Sequence, residues 1–475
     1  MPSSSKTFHL VSLGCSKNTV DSDSMAQLLG NAGFRPVADP AKAGVLLVNT
    51  CGFIGPAKEE SYRVLGEMAE LKMPGQMLIA AGCLTQRYGA EVVRRVPGID
   101  GLLGTRRWMD IVEVVSQIRT RKHPEPIYHL PTEALTVGTD EHQAMRTTVQ
   151  GASAYIKIAD GCRRPCAFCA IPLIKGTAVS RPVASILNEA RLLRDNGVRE
   201  IILIAQDSTD YGHDLGVREG LSDLLEQLVR AVPDVDWVRI MYAFPGYVTD
   251  RMIETMATHK QLIPYLDMPL QHAHPQTLRR MRRPANMDWV RNTLAKMRDA
   301  MPGPSTGSGH GPLSLRTTFI VGYPGETEEE FQTLLDFIEE TRFDRVGAFQ
   351  FSFEPGTTSE PLGDPVSPEE KQSRWERVMA LQQGISLEKN QAFVGKTLDV
   401  LIEGQGETDS GNAISIGRSY RDAPEIDGVV LIEGEVLEGE LVPVRITGAL
   451  TYDLTGTVDM QAPAVISLDG LAIRA

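Results

Sequence analysis

Three cysteines lie close together in the chain, and their spacing constrains it more than any other feature. Cys162, Cys166 and Cys169 follow the pattern C-x3-C-x2-C, although the 475 residues contain only six cysteines. Unrelated buried thiols seldom fall so near each other, so the stretch predicts a metal site. Structural zinc usually takes four ligands. Three thiolates instead suit an iron–sulfur cluster in which one iron stays open to an exogenous ligand.

The other three cysteines each follow a predicted strand. The strands are expected at 8–13, 45–48 and 77–81, and the cysteines are Cys15, Cys51 and Cys83. Helical patterns at 21–32, with Asp21 as its cap, and at 56–71 separate the strands. Strand–helix alternation implies a parallel sheet, whose carboxyl edge is where ligands bind. The sequence therefore predicts that these thiols converge and hold a second cluster; three unrelated core cysteines are the alternative.

The composition limits the classes of protein to which the chain can belong. Hydrophobic residues make up 42% and charged residues 23%, which is ordinary for a globular chain. Lys and Arg total 48 against 61 for Asp and Glu, and this net charge of −13 disfavours general binding to nucleic-acid phosphates. No stretch approaches the roughly 18 consecutive apolar residues of a membrane helix. The first residues lack a secretory core, so we expect a cytoplasmic protein whose cysteines do not form disulfides.

The central part of the chain repeats strand and helix. Strands are expected at 155–159, 200–205, 237–241, 264–268, 315–321 and 345–350. Helices are expected at 182–196, 221–231, 287–300 and 326–340. Six such units fit a partial (β/α)6 barrel of the TIM type. The C-x3-C-x2-C loop follows the first of these strands, at the catalytic face of such a barrel.

The last part of the chain has a different pattern. A charged helix at 367–390 precedes short β-branched runs at 397–402, 429–432 and 441–446, which predict a small β-barrel. Residues 388–458 contain 5 basic and 13 acidic residues, a net charge of −8. This charge argues against direct tRNA binding and favours attraction of a basic protein. A solvated acidic surface without a partner is the alternative.

The motifs around the cysteines resemble the methylthiotransferases of the radical S-adenosylmethionine (SAM) superfamily. They are Gly14-Cys15-Ser16-Lys17-Asn18, Asn49-Thr50-Cys51-Gly52-Phe53-Ile54, Ala81-Gly82-Cys83-Leu84 and the C-x3-C-x2-C spacing with Phe168. Further segments look like the members that modify ribosomal protein S12 rather than the tRNA-modifying members. These segments are 204–207, 265–273, 316–322, 344–349 and 423–428. The resemblance covers roughly residues 7 to 458.

The resemblance implies a multidomain α/β fold. An open parallel α/β sheet at 7–120 would carry an auxiliary cluster, a radical SAM partial (β/α)6 barrel would span 148–385, and a TRAM module, a small β-barrel related to the OB-fold, would span 388–458. It also implies two 4Fe–4S clusters and SAM as cofactors. Cys162, Cys166 and Cys169 would hold the catalytic, SAM-binding cluster, and the other triad would hold the auxiliary one.

The implied activity is methylthiolation of the β-carbon of an aspartate in ribosomal protein S12, either free or in the ribosome. Two SAM molecules would be used, one for the methyl group and one for hydrogen abstraction, and the auxiliary cluster would carry the sulfur. An electron donor of the flavodoxin or ferredoxin type would be a partner. Two alternatives stay open: a tRNA adenosine methylthiotransferase, and an iron–sulfur carrier without turnover.

The remaining candidate residues admit two interpretations each. The resemblance places the turn of Gly322 and Gly325 near SAM, but a plain turn in which Glu326 starts a helix is the alternative. Polar residues at strand ends either face the active site or form turns and structural contacts. These residues are Gln206, Asp207, Gln271, His272 and Asp160. Lys157, at the end of the first barrel strand, either faces the active site or is a solvated strand residue. Two arginines either balance the charge of the thiolates or face solvent; they are Arg163 and Arg164. Two residues beside Cys15, Lys17 and Asn18, either donate hydrogen bonds to the sulfurs or form a plain turn at the helix start. No role is assigned to the flexible loop expected at 303–312 or to the tail at 459–475.

Overall fold

The computed structural model describes residues 6–121, 123–132, 143–303, 311–408 and 410–459. It divides into two compact units, Met1–Gln382 and Gln383–Ala475. Most of the loop expected at 303–312 and nearly all of the tail at 459–475 lie outside the described residues. Within the described ranges, every helix is too short or too polar to cross a membrane.

The first unit begins with a six-stranded parallel sheet of order β2-β1-β3-β4-β5-β6. Its strands are β1 (Thr7–Ser12), β2 (Arg35–Pro36), β3 (Val45–Thr50), β4 (Met77–Gly82), β5 (Gly101–Gly104) and β6 (Ile127–His129). Its helices are α1 (Ser16–Asn31), α2 (Gly55–Leu71), α3 (Cys83–Tyr88), α4 (Ala90–Arg95) and α5 (Ile111–Thr120). This arrangement confirms the predicted open parallel sheet.

Two hydrophobic clusters cover the faces of this sheet. Met25 and Leu29 of α1 pack with Val114 of α5 on one face, and Leu65 of α2 packs with Val92 of α4 on the other. Every residue of β3 and of β4 is buried, which is why these strands read as continuous apolar runs rather than as alternating patterns.

The start of α1 differs from the prediction. The helix begins at Ser16 with Cys15 as its N-cap, so Asp21 lies inside the helix and does not cap it. Gly14, with φ of +93°, turns the chain directly from β1 into the helix. The carboxylate of Asp21 is buried and makes ion pairs instead. An acidic residue near a helix start was therefore mistaken for a cap.

The second part of the first unit is a seven-stranded sheet of order β15-β14-β13-β12-β11-β8-β7, beside a small pair formed by β9 and β10. The strands are β7 (Thr147–Gln150), β8 (Ser153–Lys157), β9 (Ala159–Asp160), β10 (Val179–Ser180), β11 (Glu200–Ile204), β12 (Trp237–Ile240), β13 (Leu262–Asp267), β14 (Ser314–Val321) and β15 (Arg345–Gln350). The helices are α6 (Ile171–Lys175), α7 (Val183–Asp195), α8 (Gly220–Ala231), α9 (Asp250–Thr258), α10 (Pro275–Arg280), α11 (Met287–Ala300) and α12 (Glu328–Thr341). The six predicted strands are parallel neighbours, as in a partial barrel, and β7 adds an antiparallel edge.

Three short helices beside this sheet, α6, α9 and α10, were not predicted. The last helix, α12, begins at Glu328 rather than at Glu326. Thr327 caps it, because its hydroxyl accepts from the Glu330 backbone N–H while the Glu330 side chain reaches back to the cap. Glu326 precedes the cap and is buried, which frees its carboxylate for other contacts.

The long helix α13 (Pro368–Gln391) runs from the first unit into the second. The second unit contains a closed barrel of order β16-β17-β18-β20-β19. Its strands are β16 (Thr397–Glu407), β17 (Ala413–Ser419), β18 (Val430–Glu433), β19 (Leu441–Ala449) and β20 (Leu454–Val458). The three predicted β runs are present, and β17 and β20 complete the barrel.

A candidate active site between two cysteine triads

All six cysteines line one cavity of about 440 Å³ in the first unit. Cys15, Cys51 and Cys83 form the auxiliary triad, and Cys162, Cys166 and Cys169 form the radical triad, names that we keep below. The auxiliary triad comes from three neighbouring strand ends of the first sheet, and the radical triad comes from one loop. The predicted convergence at the carboxyl edge is therefore present in the structure.

The auxiliary triad depends on tight backbone contacts between neighbouring strands. Cys51 follows β3 and its N–H donates to Ser61 Oγ at 2.9 Å. Cys83 is the first residue of α3 and follows Gly82, whose φ is +101°. A Cβ at Gly82 would overlap the Asn49 side chain and the Thr50 carbonyl. Only glycine can bring the chain through this close approach to present Cys83.

The radical triad lies between β9 and α6. The Cys162 N–H donates to the Gly176 carbonyl at 3.0 Å, and the Cys169 N–H donates to the Cys166 carbonyl at 3.2 Å. Gly161 precedes Cys162 with φ of +73°, and a Cβ there would overlap the Thr177 carbonyl. These bonds close the loop locally. Ala167 within it also donates to the Met281 carbonyl at 2.8 Å and accepts from the Ser359 N–H at 2.9 Å, so later parts of the chain help to hold the three thiols.

Burial favours the protonated form of four of the six thiols in the metal-free protein. It raises the pKa of Cys83 and of Cys169 to about 12 and that of Cys162 to about 11, and it also raises the pKa of Cys51. A protonated thiol is a poor ligand, so metal binding here must release protons.

Two arginines contribute hydrogen-bond donors to the radical triad. The Arg164 backbone N–H donates to Cys162 Sγ at 3.4 Å, and Arg283 Nη1 donates to Cys166 Sγ at 3.4 Å. Such donors favour the thiolate form once it is generated. Sequence reasoning missed Arg283, although the basic run at 279–283 could have drawn attention to it.

The thiol sets fit iron–sulfur clusters better than single ions. Among the described residues, no three cysteine, histidine or carboxylate side chains converge on a point where one metal ion could bind. A 4Fe–4S cluster does not need such convergence, because each thiolate binds a different iron. Gln206 also lines the cavity, and its buried Oε1 has no hydrogen-bond partner. An unpartnered acceptor beside three thiols fits a site built for a polar cofactor.

Arg163 and Arg164 have different environments. Arg164 is buried, lines the cavity, and pairs with Asp207 and with Asp210. The Arg163 side chain is 41% exposed and pairs with Asp210 at 2.6 Å. Arg164 thus belongs to the site and Arg163 to its outer surface. Asp207 is a structural partner, since it also accepts from the Thr209 N–H.

Two residues at strand ends have unusual backbone conformations. Tyr242 follows β12 with φ of +65°, and Gln271 follows β13 with φ of +74°. Both line the cavity. The left-handed region is strained for such side chains, and strain of this kind concentrates at functional sites. Gln271 was among the predicted strand-end candidates, whereas nothing in the sequence pattern pointed to Tyr242.

Asn18 and Lys17, the two residues considered as donors to the sulfurs, do not act as such in the structure. The Asn18 amide donates to the Leu13 and Thr50 carbonyls at 2.7 and 3.2 Å. Its Oδ1 faces the Cys83 thiol at 4.0 Å, as an acceptor. The Lys17 ammonium lies 3.2 Å from the centre of the Tyr242 ring, within the cavity lining.

Lys157 is buried rather than solvated. It belongs to an ion network in which Lys157, Lys175 and Arg146 surround Asp21 and Asp160. Lys157 Nζ lies 2.5 Å from Asp21 and 2.8 Å from Asp160. A hydropathy pattern cannot show such a network, because the partners come from α1, the residue before β7, β8, β9 and α6.

The network controls the ionisation of its own members. Burial alone would raise the pKa of Asp21 and of Asp160, but the ammonium groups of Lys157 and Lys175 outweigh it and hold both pKa values below the usual range. Burial lowers the pKa of Lys157 to about 8 despite its carboxylate partners. The described members of the network are thus three cations and two anions. Lys175 also interacts electrostatically with the Cys83 thiol.

His272 is a structural imidazole. Its Nε2 lies 2.9 Å from Glu326 Oε1, and its Nδ1 accepts from the His274 N–H at 2.9 Å. Glu326 also accepts from the Gly322 N–H and from Arg374. The cavity lining includes Gln206 but neither Gly322 nor Gly325, whose nearest side-chain neighbours are Lys371 and Arg280. A SAM contact of the two glycines stays a prediction.

Comparisons with known families divide the chain in the same order. Residues 7–104 match the family described as "Uncharacterized protein family UPF0004". Residues 156–338 match the radical SAM superfamily, and residues 394–458 match the TRAM domain. The closed five-stranded barrel of the second unit coincides with the TRAM match.

Solved structures share the fold at low sequence identity. A radical SAM methyltransferase, TsrM from Kitasatospora setae, superposes with a TM-score of 0.56 at 13% identity, over 86% of this chain and 82% of its own. A cobalamin-dependent radical enzyme, OxsB, reaches a TM-score of 0.50 at 9% identity, over 79% of this chain and 56% of its own.

Curated relatives are far more similar. A protein from Roseiflexus sp. (strain RS-1) is 46% identical over 96% of this chain and 98% of its own length. One from Chloroflexus aurantiacus is 48% identical over 94% and 99%, and one from Myxococcus xanthus is 41% identical over 95% and 92%. All three are named ribosomal protein uS12 methylthiotransferase RimO. With the radical SAM and TRAM matches and six cysteines around one cavity, the chain belongs to the family of ribosomal protein uS12 methylthiotransferases.

Proposed function

We propose that this protein transfers a methylthio group to the β-carbon of an aspartate of ribosomal protein S12. The observation that carries the proposal is the cavity of about 440 Å³ shared by two cysteine triads. A carrier of iron–sulfur clusters would need neither a radical SAM barrel nor a cavity common to two thiol sets. Relatives at 41–48% identity bear the corresponding name.

We assign one 4Fe–4S cluster to each triad. The radical triad would bind the catalytic cluster together with SAM, and the auxiliary triad would bind a second cluster. When bound, these groups supply the one-electron chemistry and the sulfur, which side chains cannot supply. The protein positions them: Arg164 and Arg283 donate to two sulfurs of the radical triad, and the unpartnered Gln206 Oε1 is available to accept from SAM. We retain the turn of Gly322 and Gly325 as a further candidate contact with SAM.

We place domain boundaries at 7–120, 148–385 and 388–458. The family matches at 7–104, 156–338 and 394–458 lie inside these bounds. The division between the two compact units, at Gln382 and Gln383, falls a few residues before the last boundary. The first two domains form one compact unit, consistent with the ion network that ties α1 to β8 and α6.

The acidic second unit suits a basic protein as the partner. Glu433, Glu435, Glu438 and Glu440 are all exposed on one short stretch, with Leu437, which is 71% exposed, among them. Ribosomal proteins are commonly basic, so attraction would steer S12 toward this stretch, whereas tRNA phosphates would be repelled. Reversing the four charges should weaken S12 binding and flatten its salt dependence. Unchanged binding would remove this stretch from the recognition surface.

The decisive experiment compares S12 and tRNA from a strain with and without the gene, by mass spectrometry. We expect S12 to lose its methylthio group on deletion while the methylthiolated adenosines of tRNA persist. Loss of the tRNA modification instead would support the tRNA alternative. Formation of 5′-deoxyadenosine from SAM by the purified, reduced protein separates both enzymes from a carrier, which would form none. A flavodoxin or ferredoxin is the expected electron donor in the cell.

A further inference from the structure

The cavity holds one ammonium group whose charge is not balanced by the protein. Lys17 lies in the first turn of α1 and lines the cavity. Its Nζ lies 3.2 Å from the centre of the Tyr242 ring. Within the part of the chain that the structure describes, no carboxylate forms an ion pair with Lys17 and no group accepts a hydrogen bond from it.

The other cations of the cavity are already occupied. Lys175 pairs with two buried aspartates, and Arg164 pairs with two others. Arg283 donates to a backbone carbonyl and to Cys166 Sγ. Among the described cations of the cavity, Lys17 is the one that neither pairs with a carboxylate nor donates a hydrogen bond to the protein.

The conformation of Tyr242 fixes the position of this ammonium group. Tyr242 is held in the left-handed region, with φ of +65°, and its carbonyl accepts from the Ser208 N–H at 2.9 Å. This conformation is strained for tyrosine, and it places the ring beneath the Lys17 ammonium. The ring contacts the ammonium group from one side only. The ammonium hydrogens that point away from the ring stay free to donate to a ligand in the cavity.

A carboxylate is the ligand that fits this arrangement. An ammonium group binds well to an anion that also accepts hydrogen bonds, and a carboxylate is such an anion. We propose that Lys17, held by Tyr242, binds the side-chain carboxylate of the substrate aspartate and so selects the residue to be modified. The inference rests on the proposed function, in which the modified carbon is directly bonded to that carboxyl group. A neutral adenine base would leave the ammonium without a partner.

The test compares two peptides that span the modified aspartate of S12, one with the native aspartate and one with asparagine in its place. Their affinities are measured for the anaerobically reconstituted holoenzyme. We expect the wild type to bind the aspartate peptide at least tenfold more tightly. Lys17→Met should bind both peptides alike, and Lys17→Arg should recover most of the preference.

A matched control is Lys58→Met, because Lys58 also lies over a tyrosine ring, that of Tyr88, but does not line the cavity. It should keep the wild-type preference. Since Lys17 is close to Cys15, the iron content and visible absorption of each variant are measured as well. A Lys17→Met protein with wild-type iron that still prefers the aspartate peptide, or that loses affinity for both peptides equally, overturns the proposal.

SAM also carries a carboxylate, so a separate measurement tests whether Lys17 binds SAM instead of the substrate. The affinity of the holoenzyme for SAM should be the same in the wild type and in Lys17→Met. A tenfold loss of SAM affinity with the peptide preference intact would assign Lys17 to SAM and overturn substrate selection. Failure of the proposed function looks different, since the wild type would then bind neither peptide and S12 would be unchanged in the deletion strain.

Discussion

The two cysteine triads face the same cavity but are assembled in opposite ways. The radical triad occupies one loop between β9 and α6, which is closed by hydrogen bonds within the loop and to Gly176 and is also bonded to two later segments of the chain. The auxiliary triad gathers Cys15, Cys51 and Cys83 from the ends of three parallel strands. The cysteines of the first site therefore come from one short stretch of sequence, whereas those of the second depend on the register of a whole sheet.

The two triads are also in contact through the elements that follow them. Cys83, at the start of α3, packs with Ala170 and with Ile174 of α6. Lys175, the last residue of α6, reaches Asp21 of α1 at 3.1 Å. The loop that presents the radical triad is thus tied to the sheet that presents the auxiliary triad. The distance between the two sites therefore depends on the packing of α3 and α1 against α6, and not on the local structure of either triad alone.

The largest expected effect comes from removing one thiol of each triad. Reconstituted wild-type protein should contain about eight irons per chain, and Cys51→Ser and Cys162→Ser about four each, because two thiolates do not retain a 4Fe–4S cluster. Cys162→Ser should form no 5′-deoxyadenosine, whereas Cys51→Ser should still form it without methylthiolating S12. Iron analysis and product assays check this. About four irons in the wild type would contradict the assignment of a cluster to the auxiliary triad.

The next largest effect tests the contact between the triads. Asp21→Asn should leave Lys157, Lys175 and Arg146 with Asp160 as their one remaining carboxylate partner in the network. Breaking a buried ion pair in this way costs about 3–5 kcal/mol. Denaturant unfolding of the metal-free protein measures the loss. The exposed pair of Lys296 and Asp250 offers a control, because Asp250→Asn should cost less than about 1 kcal/mol.

The same network predicts a response to acid. The pKa values of Asp21 and Asp160 are lower in the folded protein than in the unfolded chain. Their contribution to stability is therefore complete above the unfolded pKa of about 3.9 and declines as the pH falls below it. The free energy of unfolding should fall more steeply between pH 5 and 3 in the wild type than in Asp21→Asn. Equal slopes would mean that Asp21 does not carry the charge assigned to it.

The smallest effect concerns the glycines that present one cysteine of each triad. Gly82→Ala and Gly161→Ala should each destabilise the protein by about 2–4 kcal/mol, since the new methyl group adds overlap to left-handed strain. Gly197, with φ of +85° and open space around its Cβ position, is the control, and Gly197→Ala should cost only about 1 kcal/mol. Thermal unfolding checks the order. Gly82→Ala should also lower iron at the auxiliary triad more than at the radical triad.

Local patterns in the sequence were sufficient for much of the fold and for all six cysteines. The C-x3-C-x2-C spacing predicted one site outright, because its ligands lie on a single loop. Continuous apolar runs predicted β3 and β4, and with them the strand ends that carry Cys51 and Cys83. Periodicity and turn residues likewise predicted the partial barrel and the terminal β-barrel, since both signals act over a few residues.

Tertiary structure alone decided which charges are buried and which are paired. The sequence favoured a solvated Lys157 and predicted Asp21 as a helix cap, yet both lie in one ion network whose members come from distant parts of the first unit. No sequence pattern pointed to Tyr242, because its strained backbone conformation after β12 arises only in the folded chain. That Lys17 makes no ion pair among the described residues is visible only once the cavity's other cations and their carboxylate partners are placed. Charge pairing is a long-range property of the folded chain, and for that reason neither spacing nor hydropathy could predict it.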